Sequence, residues 1–277
     1  MKVAIAGAKG GSFELRGRMV AERLKWDVIE LTTKPPKIDR KYDLIVLVKY
    51  DHSHASLLRS ACKYLWWDAL DAFSTWAPHT TAEEFWTWAQ IRIGCDAIIA
   101  TSPACAESMS GIGVPVFMLP HHSDPRVEPI AHDLAGDVVY WGARQYIDSG
   151  LPIIAQACDR IGRTFRIDET SGPWTCDRSV SVALHLRLPP FDSDVMRRCK
   201  PQVKLANAAA ARIPVLATDD PCATSLCPEV TTVTREQCQD VDALALALSR
   251  AIDGRSPSAA VTLGDHCREL SRLIRCW

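Results

Sequence analysis

Three polar side chains surround a segment that the sequence predicts to be the start of a helix. Lys200, Lys204 and Asn207 are spaced four and three residues apart, and Pro201 suits a first helical turn because its missing N–H is not needed there. The first N–H groups of a helix have no partner within it and carry a partial positive charge. An anion suits such a place, and a diphosphate is the simplest choice. The alternative is an ordinary helix whose lysines are solvated.

The elements after and before this helix predict where it lies. Leu205 and the alanines that follow favour helix, and the short apolar run 213–217 predicts a central strand. A second predicted strand begins at Asp137 and ends at a glycine, Gly142, which would let a ligand approach the backbone closely. Arg144 follows and can bind a diphosphate through two N–H groups. A plain surface role for Arg144 is the competing interpretation.

Acidic and histidine side chains follow two predicted strands of the first half. His54 lies in the loop after the apolar run 43–48, and Asp68 and Asp71 come after the predicted strand 63–67. The carboxyl ends of parallel strands meet at the crevice where ligands bind. These three side chains are therefore candidates to bind an acceptor or to take the proton from its hydroxyl. A surface or turn role is the alternative for each.

A glycine loop follows the first predicted strand. Gly7, Gly10 and Gly11 match neither the Gly-x-Gly-x-x-Gly dinucleotide fingerprint nor a Walker phosphate loop. Glu30 ends the second predicted strand, where a dehydrogenase places its ribose-binding acid, so an NAD(P)-dependent oxidoreductase is an alternative function. We expect Gly10 and Gly11 to line the ligand crevice, and a turn needed only for packing is the alternative.

Strands alternate with helices in both halves of the chain, which predicts an α/β fold with doubly wound parallel sheets. A proline-rich stretch without periodicity, 120–129, separates the halves. We therefore expect two domains, residues 1–122 and 137–277, joined by a linker over 123–136. The length of 277 residues is sufficient for two such domains.

The composition limits the classes of protein to which this chain can belong. The formal net charge of -1 gives no overall attraction to nucleic acid or membranes, and no apolar run approaches the roughly 20 residues that span a bilayer. The 11 cysteines contain no Cys-x-x-Cys pair and no Cys/His spacing typical of zinc, so no metal is predicted. A reducing cytosol is the simplest compartment, and we expect a cytoplasmic protein.

The segment 200–217, Lys-Pro-x-x-Lys-x-x-Asn-Ala-x-Ala-x-x-x-Pro-Val-Leu-Ala, resembles the donor-binding segment of GT-B glycosyltransferases, as does the strand and glycine at 140–144. The resemblance implies two Rossmann-like domains that face a cleft, and a last helix that returns to the N-terminal domain. It implies a nucleotide-diphosphate sugar as donor, most simply linked to UDP or GDP, with no metal or other cofactor required. It also places His185 and Arg187 near the donor, with the pair Asp219-Asp220 at the end of the next strand.

The same resemblance assigns roles to the candidate residues. The donor side would comprise these seven: Gly10, Gly11, Gly142, Arg144, Lys200, Lys204 and Asn207. An inverting reaction would need a base among Asp71, Asp68 and His54, whereas a retaining one would not. Family members commonly carry carboxylates where Asn207 and Cys199 stand. That departure keeps a third hypothesis open, a catalytically inert module that binds nucleotide sugars.

The acceptor is a separate question. Small GT-B enzymes of bacteriophages resemble this chain in size and glycosylate hydroxymethylated pyrimidines in DNA. Modified DNA in the host cytoplasm is therefore one acceptor that the resemblance implies. Basic residues within 16–25 and 34–41 could contact DNA phosphates. A solvated charged face is the alternative for both stretches.

Overall fold

The structure, a computed structural model, describes residues 1–34, 36–49, 52–70, 81–130, 132–169, 179–200, 202–257 and 261–277. The chain divides into two compact units. Unit 1 comprises Met1–His121, Asp194–Pro201 and Leu263–Trp277, and unit 2 comprises His122–Ser193 and Gln202–Thr262. Each unit is built from segments that are distant in the sequence.

Within the described ranges the strands form two parallel sheets, one in each unit, which confirms the predicted α/β class. In chain order the strands are β1 (Val3–Ala8), β2 (Asp27–Leu31), β3 (Tyr42–Val48), β4 (Cys62–Asp68), β5 (Ala97–Ala100), β6 (Val116–Met118), β7 (His132–Trp141), β8 (Phe165–Asp168), β9 (Val180–His185), β10 (Val215–Thr218) and β11 (Thr231–Val233).

Helices connect the strands. In chain order they are α1 (Gly11–Phe13), α2 (Met19–Leu24), α3 (Ala55–Ala61), α4 (Ala82–Ile93), α5 (Pro103–Ser108), α6 (Leu151–Arg160), α7 (Asp194–Cys199), α8 (Val203–Ala211), α9 (Pro221–Thr224), α10 (Val241–Ile252) and α11 (Leu263–Cys276). A π-helical turn, Glu14–Arg18, joins α1 to α2. In the part of the chain that the structure describes, no helix has the length and hydropathy needed to cross a membrane.

The sheet of unit 1 has the strand order β2-β1-β3-β4-β5-β6. Its central strands are buried on both faces because helices cover them, as in other parallel sheets. The last helix, α11, packs on one of these faces, where Leu270 and Ile274 join a core that contains Ile5, Val46 and Trp66. Burying a side chain of this size contributes roughly 1.5–3 kcal/mol. The C-terminal segment is thus part of the core of unit 1.

The sheet of unit 2 has the order β11-β10-β9-β7-β8 and a hydrophobic core on each face. Side chains of α6 and α10, such as Ile154 and Leu248, pack on one face. The other face is covered by α8 through Leu205 and Ala208. Strands β7, β9 and β10 lie side by side, so their carboxyl ends form one edge. The residues just after these ends are the ones that a ligand can reach.

Most predicted elements are present with bounds shifted by a residue or two. Helix α4 begins at Ala82 because Thr81 and Glu84 form a capping box, and Gly94 ends it in the left-handed conformation. The structure has a helix that was not expected from the sequence, α3 over residues 55–61. Strand β7 begins at His132, within the segment 123–136 that was expected to be linker.

The cysteines contribute to the cores. All ten of the described cysteines are free thiols, and eight of them are buried. Burial raises the pKa of Cys158 and of Cys238 to about 12 and that of Cys227 to about 11. These thiols therefore behave as small apolar groups at neutral pH.

Candidate functional site

Lys204, the second residue of α8, lies over the carboxyl end of β7. Its ammonium Nζ is 3.8 Å from the centroid of the Tyr140 ring, a cation–π contact. A Cβ atom added to Gly142 would come within 2.8 Å of Nζ. Gly142 also has a φ of 146°, a conformation that side-chain-bearing residues rarely adopt. The glycine therefore leaves the space that the ammonium occupies.

Tyr140 forms the floor beneath this ammonium. The residue is buried, and burial raises the pKa of its hydroxyl above the ordinary value, whereas the nearby positive charge of Arg187 acts in the opposite direction. The hydroxyl thus stays protonated at neutral pH. Tyr140 offers an aromatic face to a cation and no negative charge of its own.

A second polar group lies at the ends of β9 and β10. Arg187 and Asp220 form a buried ion pair, with Nε of the arginine 3.0 Å from Oδ2 of the aspartate. Thr218 donates a hydrogen bond of 2.7 Å to the same oxygen of Asp220. The Nη2 atom of Arg187 is 3.4 Å from Nε2 of His185. All four side chains are buried, so they hold one another in a fixed arrangement.

The structure places the other predicted donor residues differently. Arg144 is 63% exposed, and its Nε donates to Asp148 four residues on, at 3.1 Å. Lys200 is half-buried and follows α7 in unit 1, whereas Lys204 belongs to unit 2. Helix α7 ends at Cys199 and α8 begins at Val203, so Lys204 lies in the first turn of α8 and Lys200 lies three residues before that helix.

Asn207 has a local structural role. Its Oδ1 accepts a 2.8 Å hydrogen bond from the backbone N–H of Asp124. The carboxylate of Asp124 in turn pairs with Arg126 at 2.7 Å. The pKa of Asp124 is lowered overall: burial raises it, but the hydrogen bonds and charge of Arg126 outweigh that effect. The amide that we expected to meet the donor thus fixes the first residues of unit 2.

The glycine loop of unit 1 has a packing role in addition to any ligand role. A Cβ atom on Gly7 would lie 2.4 Å from the Phe13 ring, so Gly7 is needed for Phe13 to pack. Gly10 and Gly11 have open space where their Cβ atoms would be. Only these two glycines of the loop are therefore accessible for close approach by a ligand.

Asp68, one of the predicted bases, is the centre of a buried network in unit 1. Its two carboxylate oxygens accept hydrogen bonds of 2.8 Å each from Nε and Nη2 of Arg16. Nη1 of Arg16 also donates to the carbonyl of Pro120 at 3.0 Å and lies 3.2 Å from Nδ1 of His266. The side chains of Arg16 and Asp68 are 0% and 4% exposed. Both carboxylate oxygens are thus occupied by a structural ion pair.

The remaining predicted residues of unit 1 are placed as follows. His54 immediately precedes α3, is buried, and has Nδ1 3.0 Å from Oγ of Ser53. Asp71 lies outside the described residues. Trp86 is fully buried and its indole N–H donates to Ser108, so it belongs to the core. Among the described residues no three His, Cys, Asp or Glu side chains gather to hold a metal ion.

Tyr140 is a site side chain that the sequence did not single out. It lies next to the carboxyl end of a buried strand, which is the available sequence signal. Sequence cannot show that the Tyr140 ring would meet Lys204, which is 64 residues away.

No protein-family model matches the sequence, and no curated protein matches it. Solved structures do: AviGT4, a glycosyltransferase involved in Avilamycin A biosynthesis, is similar over 98% of this chain and 96% of its own, at 14% identity and a TM-score of 0.58. The fold is that of the GT-B glycosyltransferases.

Two further structures have this fold. The GtfA/B complex is similar over 85% of this chain and 57% of that chain, at 9% identity and a TM-score of 0.54. TarM is similar over 84% of this chain and 54% of its own, at 9% identity and a TM-score of 0.52. The GT-B chain described here thus spans about half the length of TarM.

Proposed function

We propose that this GT-B chain is a glycosyltransferase that moves a sugar from a nucleotide-diphosphate sugar to an acceptor hydroxyl. The fold supports the proposal because it is shared with AviGT4 along nearly the whole chain. The observation that carries it is the position of Lys204, whose ammonium lies over Tyr140 and beside Gly142 at the carboxyl end of β7. An ammonium at the strand ends of a parallel sheet suits a phosphate ligand.

The proposed reaction breaks the bond between the anomeric carbon and the diphosphate oxygen, and forms a bond from that carbon to the acceptor oxygen. The departing diphosphate gains negative charge as its bond breaks. Lys204 offsets this charge from a preorganised position, which is electrostatic stabilisation of the transition state. Gly142 contributes by leaving the phosphates close access to the backbone.

The acceptor hydroxyl must lose its proton during the reaction. For an inverting reaction we propose His54 or Asp71 as the base. Asp68 is a weaker candidate, because both of its oxygens accept hydrogen bonds from Arg16 and the pair is buried. A retaining reaction needs no such base, and the leaving diphosphate can then accept the proton.

The proposal extends to the identity of the donor nucleotide and of the acceptor. A TarM variant from S. aureus has been solved with fondaparinux, α-GlcNAc-glycerol and UDP, so UDP is the first nucleotide to test here. AviGT4 is involved in Avilamycin A biosynthesis, which makes a small hydroxyl-bearing acceptor the first acceptor class to test.

Modified DNA is a second acceptor to test, and the charges of unit 1 give it less support. Arg16 is buried against Asp68, and Arg18 pairs with Glu30. Lys37 lies 3.3 Å from Asp39 in a similar pairing. Basic side chains with acidic partners release fewer counterions from DNA phosphates and bind DNA more weakly.

A thermal-shift panel of UDP, GDP, ADP, TDP, CMP and NAD tests the proposal. We expect one nucleoside diphosphate to raise the melting temperature, and Lys204→Ala to weaken its binding by about 1–3 kcal/mol, the cost of losing a hydrogen bond to a charged group. Lys63→Ala is the matched control, because Lys63 also lies over a tyrosine ring, that of Tyr64, at 4.9 Å. Stabilisation by NAD alone would overturn the transferase proposal. Nucleotide binding without turnover on any acceptor would favour the inert module.

A further inference from the structure

Strand β2 forms an open edge of the sheet in unit 1. It is the first strand in the order β2-β1-β3-β4-β5-β6, and among the described strands it pairs with β1 alone. Alternate residues of an edge strand direct their N–H and C=O groups away from the sheet. The sequence of β2 contains neither proline nor lysine, two residues that commonly protect such an edge.

A groove of about 420 Å³ lies along this edge. It is lined by residues 27–30 of β2, by residues 36–40 and by Tyr42. Successive side chains of a strand point to opposite faces of its sheet, so a groove lined by four consecutive residues follows the edge of the strand. Since β1 occupies the other edge of β2, the groove follows the open one.

The second wall of the groove does not pair with the edge. In the described ranges, the backbone of residues 36–40 makes no hydrogen bond to that of residues 27–30. Pro36 contributes to this separation because it has no N–H to donate. The outward backbone groups of β2 therefore face a space that a further chain can occupy.

The chain that forms this second wall is held near both of its ends. At one end, the Tyr42 hydroxyl donates to Oδ2 of Asp27 at 3.0 Å, and Nη1 of Arg40 donates to the same oxygen at 3.4 Å. Burial and the neighbouring carboxylate raise the pKa of Tyr42, so its hydroxyl keeps its proton at neutral pH. At the other end, Thr32 donates to the carbonyl of Lys34 at 2.7 Å. The groove is thus already formed in the free chain.

The charged side chains along the groove balance one another. Three ion pairs contain them: Arg40–Asp27, Arg18–Glu30 and Lys37–Asp39. Arg18 is shared with a second carboxylate, that of Glu14. The groove therefore has no excess of positive charge that would attract phosphates or nucleic acid. It offers the outward N–H and C=O groups of β2, and another peptide backbone carries the groups that complement them.

The dimensions of the groove fit a short extended peptide. At a rise of about 3.3 Å per residue, the length of β2 that lines the groove accommodates roughly three to four residues of an added strand. The volume of about 420 Å³ also lies within the range of roughly 300–1,000 Å³ found for ligand sites. Because residues 36–40 line the other side, the groove admits a single extended chain more readily than the edge of another folded domain.

We propose that this groove binds an uncharged, extended peptide segment of a partner protein, which joins the sheet of unit 1 as a strand beside β2. Main-chain hydrogen bonds to alternate residues of 27–30 supply the affinity, and the apolar side chains of Val28 and Ile38 contact the segment. The site runs along the edge of the sheet, whereas substrates bind at the carboxyl ends of its strands. It is a docking site in addition to the proposed transferase site and does not depend on it.

NMR spectroscopy of the 277-residue chain tests this docking site. The probe is a pool of acetylated, amidated tetrapeptides made from Val, Ile, Thr and Tyr, which are uncharged and favour strands. The control pool has the same sequences with every backbone nitrogen methylated, so it keeps the side chains but cannot donate from the main chain. We expect the amide signals of residues 27–30 to shift saturably with the first pool, with a dissociation constant of about 1 mM or below. The control pool should bind at least about tenfold more weakly.

A variant that fills the groove tests its location. Ile38→Trp places a large side chain among the lining residues and should weaken binding of the first pool at least about tenfold. Ile91→Trp is the matched control, because Ile91 is 77% exposed on α4, and its affinity for the pool should be unchanged. The comparison of the two pools on the wild-type chain decides the question even if Ile38→Trp does not fold.

Three results would overturn the inference. They are the absence of a saturable shift at residues 27–30 up to about 10 mM peptide, equal binding of the methylated pool, and undiminished binding by a folded Ile38→Trp variant. If free amino acids or UDP shift the same signals and the peptides do not, the groove is a small-molecule site and the inference also fails.

These outcomes are separate from those that test the proposed function. If the peptides bind and no nucleoside diphosphate raises the melting temperature, the transferase proposal fails and the docking site stands. If UDP binds and the peptides do not, the docking site fails and the transferase proposal stands.

Discussion

Replacing Asp68 by asparagine separates a structural role from a catalytic one. In the wild-type chain the carboxylate accepts two hydrogen bonds of 2.8 Å from Arg16, and the two side chains are almost fully buried. Asparagine keeps the size of the side chain but removes its charge. The guanidinium of Arg16 then stays buried, with the carbonyl of Pro120 as a remaining acceptor at 3.0 Å.

The loss of stability that we expect for Asp68→Asn follows from the burial of the Arg16–Asp68 ion pair. Removing one partner of a buried ion pair costs about 3–5 kcal/mol, because the other charge is left uncompensated. For a domain of this size each kcal/mol lowers the melting temperature by about 2–4 °C. We therefore expect Asp68→Asn to melt about 6–20 °C below the wild type. Replacing both charges, as in Arg16→Met/Asp68→Leu, should recover most of this loss because neither charge is then buried alone.

The melting temperature, from differential scanning calorimetry, and the turnover of the nucleotide sugar are measured on the same four proteins. The fourth is Asp39→Asn, which breaks an exposed pair with Lys37 and should change the melting temperature by less than about 2 °C. If the pair is structural, the double variant regains activity along with stability. If the melting temperature of Asp68→Asn equals that of the wild type, or the double variant is stable but inactive, the structural assignment is refuted and Asp68 is the base.

Three other predictions follow from the structure. Gly142→Ala should displace the ammonium of Lys204 and weaken UDP binding about tenfold in calorimetry, since the added Cβ would lie 2.8 Å from Nζ; unchanged affinity would show that the glycine is not needed there. Asn207→Ala should lower the free energy of unfolding in urea by about 1–3 kcal/mol, because it leaves a buried backbone N–H unpaired, and a change below about 0.5 kcal/mol would contradict this. The melting temperature should fall as the pH rises from about 9 towards 12. Above pH 9 the unfolded chain releases thiol protons that buried Cys158 and Cys238 keep until about pH 12, so the folded state binds more protons and loses stability as the pH rises. Replacing both thiols by alanine should reduce that fall, and an undiminished slope would assign it to other groups.

Local sequence signals were sufficient to predict most elements of the fold. The capping box at Thr81 and Glu84, and the continuous apolar run of β3, define elements through residues that are close in sequence. The helix α3 was not assigned because it spans only seven residues, Ala55–Ala61, too few for a helical period to stand out.

The site was predicted only in part, because its decisive contacts join residues far apart in the chain. The end of a predicted strand was enough to select Gly142, and the first turn of a predicted helix was enough to select Lys204. The partner of Asn207 is 83 residues away, and that of Asp68 is 52 residues away. Neither spacing nor residue type reveals such pairs.

The chain passes between its two units several times, which limits where it can be cut into fragments that fold. It enters unit 2 at His122, contributes 194–201 to unit 1, returns to unit 2, and ends in unit 1 with α11. A fragment that stops at His121 would lack Leu270 and Ile274, and the apolar face they cover would be open to water. Such a fragment should aggregate unless α11 is supplied as a separate peptide. Recombination between relatives would therefore have to exchange both units together, or graft short loops, to keep either one soluble.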